Sequence, residues 1–214
     1  MLVDPADTTT SAFSGLPSAV GSGRGVIATE RDGFGIARIA AHRAQAAKVS
    51  ELFRADFGVE PPNAPRRASR GDVGIAGIGP GVWLATRDGA GNAFADSLRS
   101  LLGDCAAVSD QSDAYAILRL TGPKVRETLA KLIPIDIHPR SFQEGDIAQT
   151  LCGYVNVTLW RLEDTAQSGT AFEIWAGRSL AVSLHQAISH GAAEFGFVRE
   201  PSGGPAGAAG RQTS

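Results

Sequence analysis

Asp136, His138 and Ser141 are the residues of this 214-residue sequence whose types and spacing come nearest to nucleophilic chemistry. Such chemistry needs a hydroxyl held by a base, and a third group that orients the base. Asp136 and His138 stand two apart, so on an extended chain they share one face. The competing reading is that Ile133-Pro134-Ile135-Asp136-Ile137-His138-Pro139 is a structured loop. Its isoleucines would anchor it, and its two polar side chains would bond backbone. The loop is the stronger reading.

Other sets of polar residues are thinner. His185 and His190 lie five apart on a predicted helix, about 140° round its axis, and cannot chelate one ion. Cys105 and Cys152 cannot form a metal cage alone, and with no secretory-type apolar segment at the N-terminus they are expected as reduced thiols. Asp110 and Asp113, around Gln111-Ser112, could be an acid–base pair, but in a connection between strands they read as turn formers. Gly21-Ser22-Gly23-Arg24-Gly25 has no strand before it and no helix after it, so a flexible linker is expected rather than a dinucleotide loop. The basic run Pro65-Arg66-Arg67-Ala68-Ser69-Arg70 reads as a solvated loop or a contact with an acidic partner. A formal net charge of −2 gives no electrostatic reason to expect nucleic acid or an anionic membrane surface. No run approaches the ~18 apolar residues of a membrane span. No nucleic acid, no membrane and a cytoplasmic location are the expectations.

These residues are positioned by elements that follow from periodicity. Residues 1–27 are rich in Ser, Thr and Gly without sustained period, and are expected to be a flexible N-terminal segment. Residues 28–110 read as one ferredoxin-like unit of order β-α-β-β-α-β. Its strands are Phe34–Ala41, Val73–Gly77, Val82–Thr86 and Cys105–Val108. Its helices are Arg43–Phe57 and one capped by Asn92 with Phe94, Leu98, Leu101 and Leu102 inward. In residues 111–198 a strand from Ala114 to Thr121 is apolar on both faces apart from Arg119, which suits burial on both sides. Gly122-Pro123 then starts a helix with Val125, Leu129 and Leu132 on one stripe. Glu127 and Lys131 are placed to pair at i,i+4 on its outside. Strands Asp146–Tyr154, Val155–Leu162 and Ala171–Ala176 and a helix Arg178–Phe195 follow. Residues 199–214 are low in complexity and expected to be a disordered tail. The fold class is α+β, two packed plait-like subdomains with flexible termini.

The ordered series Ser109-Asp110-Gln111-Ser112-Asp113, Leu118-Arg119-Leu120-Thr121-Gly122-Pro123-Lys124, Pro134–Pro139 and Phe142–Thr150 strongly resembles the gamma subunit of heterotetrameric sarcosine oxidase. The likeness extends over roughly residues 28–196. That family is related in fold to the folate-binding domain of glycine-cleavage aminomethyltransferases, so the second unit is expected to be aminomethyltransferase-like. The resemblance implies a non-catalytic subunit working with alpha, beta and delta partners. The complex would demethylate sarcosine oxidatively to glycine, giving hydrogen peroxide and passing the one-carbon unit to tetrahydrofolate. FAD, FMN and NAD would be carried by other subunits, and this chain is assigned no catalytic, cofactor-binding or metal residue. Asp136, His138 and Arg140 remain as a candidate subunit interface. Two alternatives stay open: the small subunit of an N-methylglutamate dehydrogenase-like complex, and a self-sufficient folate-dependent aminomethyltransferase-like protein.

Overall fold

The computed structural model describes residues 11–166 and 169–201. The strands are β1 (Ala19–Val20), β2 (Val26–Arg31), β3 (Phe34–Ala41), β4 (Arg67–Arg70), β5 (Val73–Gly79), β6 (Val82–Asp88), β7 (Ala106–Asp110), β8 (Tyr115–Thr121), β9 (Ile147–Cys152), β10 (Val155–Arg161), β11 (Phe172–Gly177) and β12 (Phe197–Glu200). The helices are α1 (Ala46–Phe57), α2 (Ala93–Leu102), α3 (Val125–Leu132) and α4 (Ala181–Ala192).

The strands form two sheets, one of order β4-β5-β6-β3-β7 and one of order β1-β12-β2-β8-β11-β10-β9. In the first, β7-β3-β6-β5 is the antiparallel plait expected from the β-α-β-β-α-β reading, with β4 added at its edge. Its inward alternation sets Ala37, Ile39, Ile75, Trp83 and Ala85 against Val49 and Phe53 of α1 and Phe94 and Leu98 of α2. In the second sheet, Leu118, Leu120, Leu159 and Ile174 pack on Val125 and Leu129 of α3 and Leu184 and Ile188 of α4. The two remaining faces meet: Ile36, Ala76 and Leu84 pack on Ile117, Ile147, Trp160 and Trp175. The result is helix, sheet, sheet, helix, with β8 covered on both sides, as its doubly apolar alternation requires.

Several expectations need correction. Residues 1–10 lie outside the described residues, but 11–27 are fixed in place: Phe13 is fully buried, β1 pairs with β12, and β2 begins at Val26. The composition of this segment hides a few well-spaced apolar anchors, Phe13, Leu16 and Val20, which pack on the second core. Gly21 and Gly25 are there for close approach. A Cβ on Gly25 would lie 2.4 Å from the Phe195 carbonyl oxygen, which its own N–H meets at 2.9 Å. Residues 28–31, placed by the sequence reading in the first unit, pair with β8 and β12 in the second sheet instead. At the other end Arg199 and Glu200 belong to β12, while residues 202–214 lie outside the described residues. The basic run is not all loop, since Arg67–Arg70 forms the edge strand β4.

Two smaller differences are electrostatic. Asn92 stands before α2 without a side-chain cap hydrogen bond. Glu127 and Lys131 do not pair with each other: Glu127 takes Lys124, and Lys131 reaches Glu194 across to the end of α4. Exposed pairs of this kind differ by only ~0.5 kcal/mol, so small geometric preferences decide among them.

Candidate functional site

The loop after α3 begins where Ile133 turns extended (φ −114°, ψ 124°). Ile133, Ile137 and Phe142 are buried in the second core, and Arg126 of α3 donates to the Ile137 carbonyl. Asp136, His138 and Arg140 are exposed on this anchored frame. The Asp136 carboxylate accepts the Ser141 hydroxyl and, at 2.9 Å, the His138 backbone N–H, which together hold it below the usual carboxylate range. The His138 Nδ1 accepts the Arg140 backbone N–H at 3.2 Å. Asp136 therefore bonds Ser141 with no imidazole between them, and His138 is oriented by backbone rather than by a carboxylate. That order is not the hydroxyl–base–orienter chain of nucleophilic catalysis.

The remaining sequence candidates are dispersed. Asp110 Oδ1 accepts both the N–H (3.0 Å) and the hydroxyl (2.6 Å) of Ser112, whose oxygen in turn accepts the Ile36 N–H (3.0 Å). This is turn chemistry that ties β7 and the start of the second unit to β3. Cys105 and Cys152 are both free; Cys152 is fully buried, and burial pushes its thiol up to about 12. His190 is exposed. His185 is buried edge-on against Phe197, with ring centroids 5.4 Å apart, and its Nε2 lies 2.9 Å from the Pro17 carbonyl oxygen. Because a carbonyl oxygen only accepts, that contact makes Nε2 a protonated, donating nitrogen. Burial lowers its pKa, the bond to Pro17 opposes the shift, and Arg199 and His190 add to it. Among the described residues no three His, Cys, Asp or Glu side chains are placed to share a metal ion.

The most concentrated polar arrangement lies where sequence reading did not look, between the sheets. Glu173 of β11 is 3% exposed and sits opposite Arg119 of β8. Its Oε1 accepts the Arg119 Nη2 at 2.7 Å and Nε at 3.2 Å, and lies 3.7 Å from the Arg31 Nε. The Trp175 indole N–H points at its other oxygen, 3.4 Å away. Trp175 stacks on Trp160 at 4.5 Å, and Arg67 lies over the Trp160 ring at 5.6 Å. Burial, then the neighbouring Arg119, lowers the Arg31 pKa. The visible signals were Arg119, the lone charge in an apolar strand, and Glu173 amid Phe172, Ile174 and Trp175. Charged residues in strands buried on both faces must meet each other.

A cavity of about 290 Å³ adjoins this layer and is lined by Glu30, Arg31, Ser112, Asp113, Tyr115 and Arg178, among others. Glu30 is 5% exposed, accepts the Ser11 hydroxyl and lies 3.5 Å from Arg199. These groups join the N-terminal segment and the two sheets. None of them forms a nucleophile with its base.

Residues 39–189 match the family model described as the sarcosine oxidase, gamma subunit family. The chain is 31% identical over 84 residues to sarcosine oxidase subunit gamma of Arthrobacter sp, covering 39% of this chain and 41% of that one. It is 33% identical over 95 residues to the subunit of Corynebacterium sp. strain U-96, covering 42% and 46%. The matched stretch thus spans less than half of these curated relatives. In fold, it is similar to a chain of the heterotetrameric sarcosine oxidase from Corynebacterium sp. U-96 (TM-score 0.70, 22% identity, 82% of this chain and 88% of that one). It is also similar to glycine cleavage system aminomethyltransferase T from Bartonella henselae (TM-score 0.56, 12% identity, 83% and 47%). With well over half its length matched, and with the same fold as a chain of the solved complex, this protein belongs to the sarcosine oxidase gamma subunit family.

Proposed function

We propose that the chain is a non-catalytic gamma subunit of a cytoplasmic heterotetrameric sarcosine oxidase and that its work is assembly and stability. The family match over residues 39–189 carries this reading. The geometry supports it, because the buried charges pair with each other and the candidate triad is wired into backbone. The complex oxidises sarcosine to glycine and hydrogen peroxide, and the one-carbon unit passes to tetrahydrofolate. Alpha, beta and delta subunits are the partners, and the larger of them carry FAD, FMN and NAD. The exposed trio Asp136, His138 and Arg140, on a loop fixed by three buried apolar residues, offers rigid polar contacts at a subunit boundary.

Co-expression with the companion subunits tests this. The expected result is a single assembly containing all four chains, and its loss when this chain is omitted. Normal assembly and turnover without the chain would overturn the reading. So would binding of tetrahydrofolate or a flavin by the isolated chain at micromolar concentration.

A further inference from the structure

The two sheets have four edges, and three are guarded. β1 is two residues long and closely follows Pro17. β4 carries Arg67 and Arg70 just after Pro65. On β7, Arg99 Nε donates to the Val108 carbonyl at 3.2 Å. Short edges, charges, prolines and covered carbonyls are the ordinary protections against unwanted strand pairing. The fourth edge, β9, is covered only at its start: Ile147-Ala148-Gln149-Thr150-Leu151-Cys152 is uncharged and lacks Pro and Gly.

Its register shows which backbone groups are free. Cys152 pairs with Val155 across the two-residue turn Gly153-Tyr154, so Cys152, Thr150 and Ala148 exchange hydrogen bonds with β10. Ile147, Gln149 and Leu151 then turn their N–H and C=O groups outward. The Ile147 N–H is taken by the Pro65 carbonyl at 2.9 Å, where the chain leading into β4 runs beside the start of β9. Gln149 and Leu151 have no such partner among the described residues. Beside them a groove of about 600 Å³ runs over the part of the sheet not covered by its neighbour, and every side chain lining it is uncharged. Leu151 is 39% exposed on that face, and Tyr154 at the hairpin tip is fully exposed.

We infer that β9 is a strand-addition site, at which an extended, uncharged segment of a companion subunit pairs with Gln149 and Leu151, packs on Leu151 and is flanked by Tyr154. Two consecutive outward residues with free donors and acceptors specify backbone as the partner, and the neutral groove specifies apolar and small polar side chains. The short stretch of residues 65–67 already uses the first part of the same edge, so the added segment continues an existing ladder. The inference rests on the proposed role as a subunit.

Hydrogen exchange at the Gln149 and Leu151 amides, compared between the free chain and the co-expressed complex, tests it. Assembly should slow both by about tenfold or more while Thr150, already paired to β10, changes little. Leu151→Pro removes an outward N–H that β10 does not use, and should weaken assembly about tenfold with the free chain still folded by circular dichroism. Leu151→Lys, which restores a guarding charge and keeps the backbone, should act in the same direction. An intact complex in which Gln149 and Leu151 exchange as in the free chain overturns the inference and leaves the subunit role standing. Self-association of the free chain that Leu151→Pro abolishes overturns it in favour of a second copy. Failure of the native chain to enter any complex overturns both.

Discussion

Glu173 is the residue on which the inter-sheet layer depends electrostatically, because its one carboxylate lies against both Arg119 and Arg31. Replacing it leaves the largely buried Arg31 and the partly exposed Arg119 without that carboxylate. Glu173→Ala should therefore cost about 3 kcal/mol in urea unfolding, the range for breaking a buried ion pair by removing one partner. Glu173→Gln, which keeps an acceptor, should cost less. The thiols give a second check at this scale. Native protein should react with one equivalent of a thiol reagent, at partly buried Cys105, and denatured protein with two, because Cys152 is fully buried and its thiolate disfavoured. His185 gives a third. Its folded pKa lies below the ordinary 6.5, so the unfolded chain takes up a proton first as pH falls through 6.5. Above that pH neither state holds the proton and the residue contributes no pH dependence. Below it, stability falls until the folded value is passed. His185→Gln should flatten the melting temperature against pH from just above 6.5 downward, in a site faced by Arg199 and His190.

Among the elements, the N-terminal segment is held by side chains as well as by its two-residue strand. Phe13 is fully buried, Pro17 accepts the His185 ring N–H, and the Ser18 carbonyl accepts the Arg199 N–H at 2.7 Å. Phe13→Ala should cost about 3 kcal/mol if the segment stays docked. If the segment releases instead, amide exchange should accelerate in β1 and at the β12 edge while β8 remains protected. Periodicity placed the strands from β5 to β11 and the four helices, and Phe34–Ala41 is a strand over that same range, but it gave no strand at β2 or β12, which pair with each other. It failed at residues 11–20, where burial comes from isolated side chains too few to make a pattern. It failed also at Arg67–Arg70, an edge strand whose exposure lets it read as a solvated loop.

The whole molecule is joined through one shared layer, Trp160, Trp175 and Ile117 of one sheet against Ile36, Ala76 and Leu84 of the other, and through β2, which precedes the plait in sequence but pairs in the other sheet. The two units should therefore unfold together. Tryptophan fluorescence and far-UV circular dichroism should report one coincident transition, and Trp175→Ala should shift it by about 3 kcal/mol rather than split it. Two separated transitions would show that the layer does not couple them. By itself the sequence determined the helices, most of the strands, the plait order and the family resemblance, because alternation, helical stripes and turn residues are local and survive without neighbours. Only the tertiary structure decided that Glu173 meets Arg119, that His185 donates to Pro17, and that β9 beyond Ile147 has no neighbouring strand on its outer side among the described residues. Those facts depend on which faces and edges come together, and strand order across a sheet is not written in the spacing of residues along the chain.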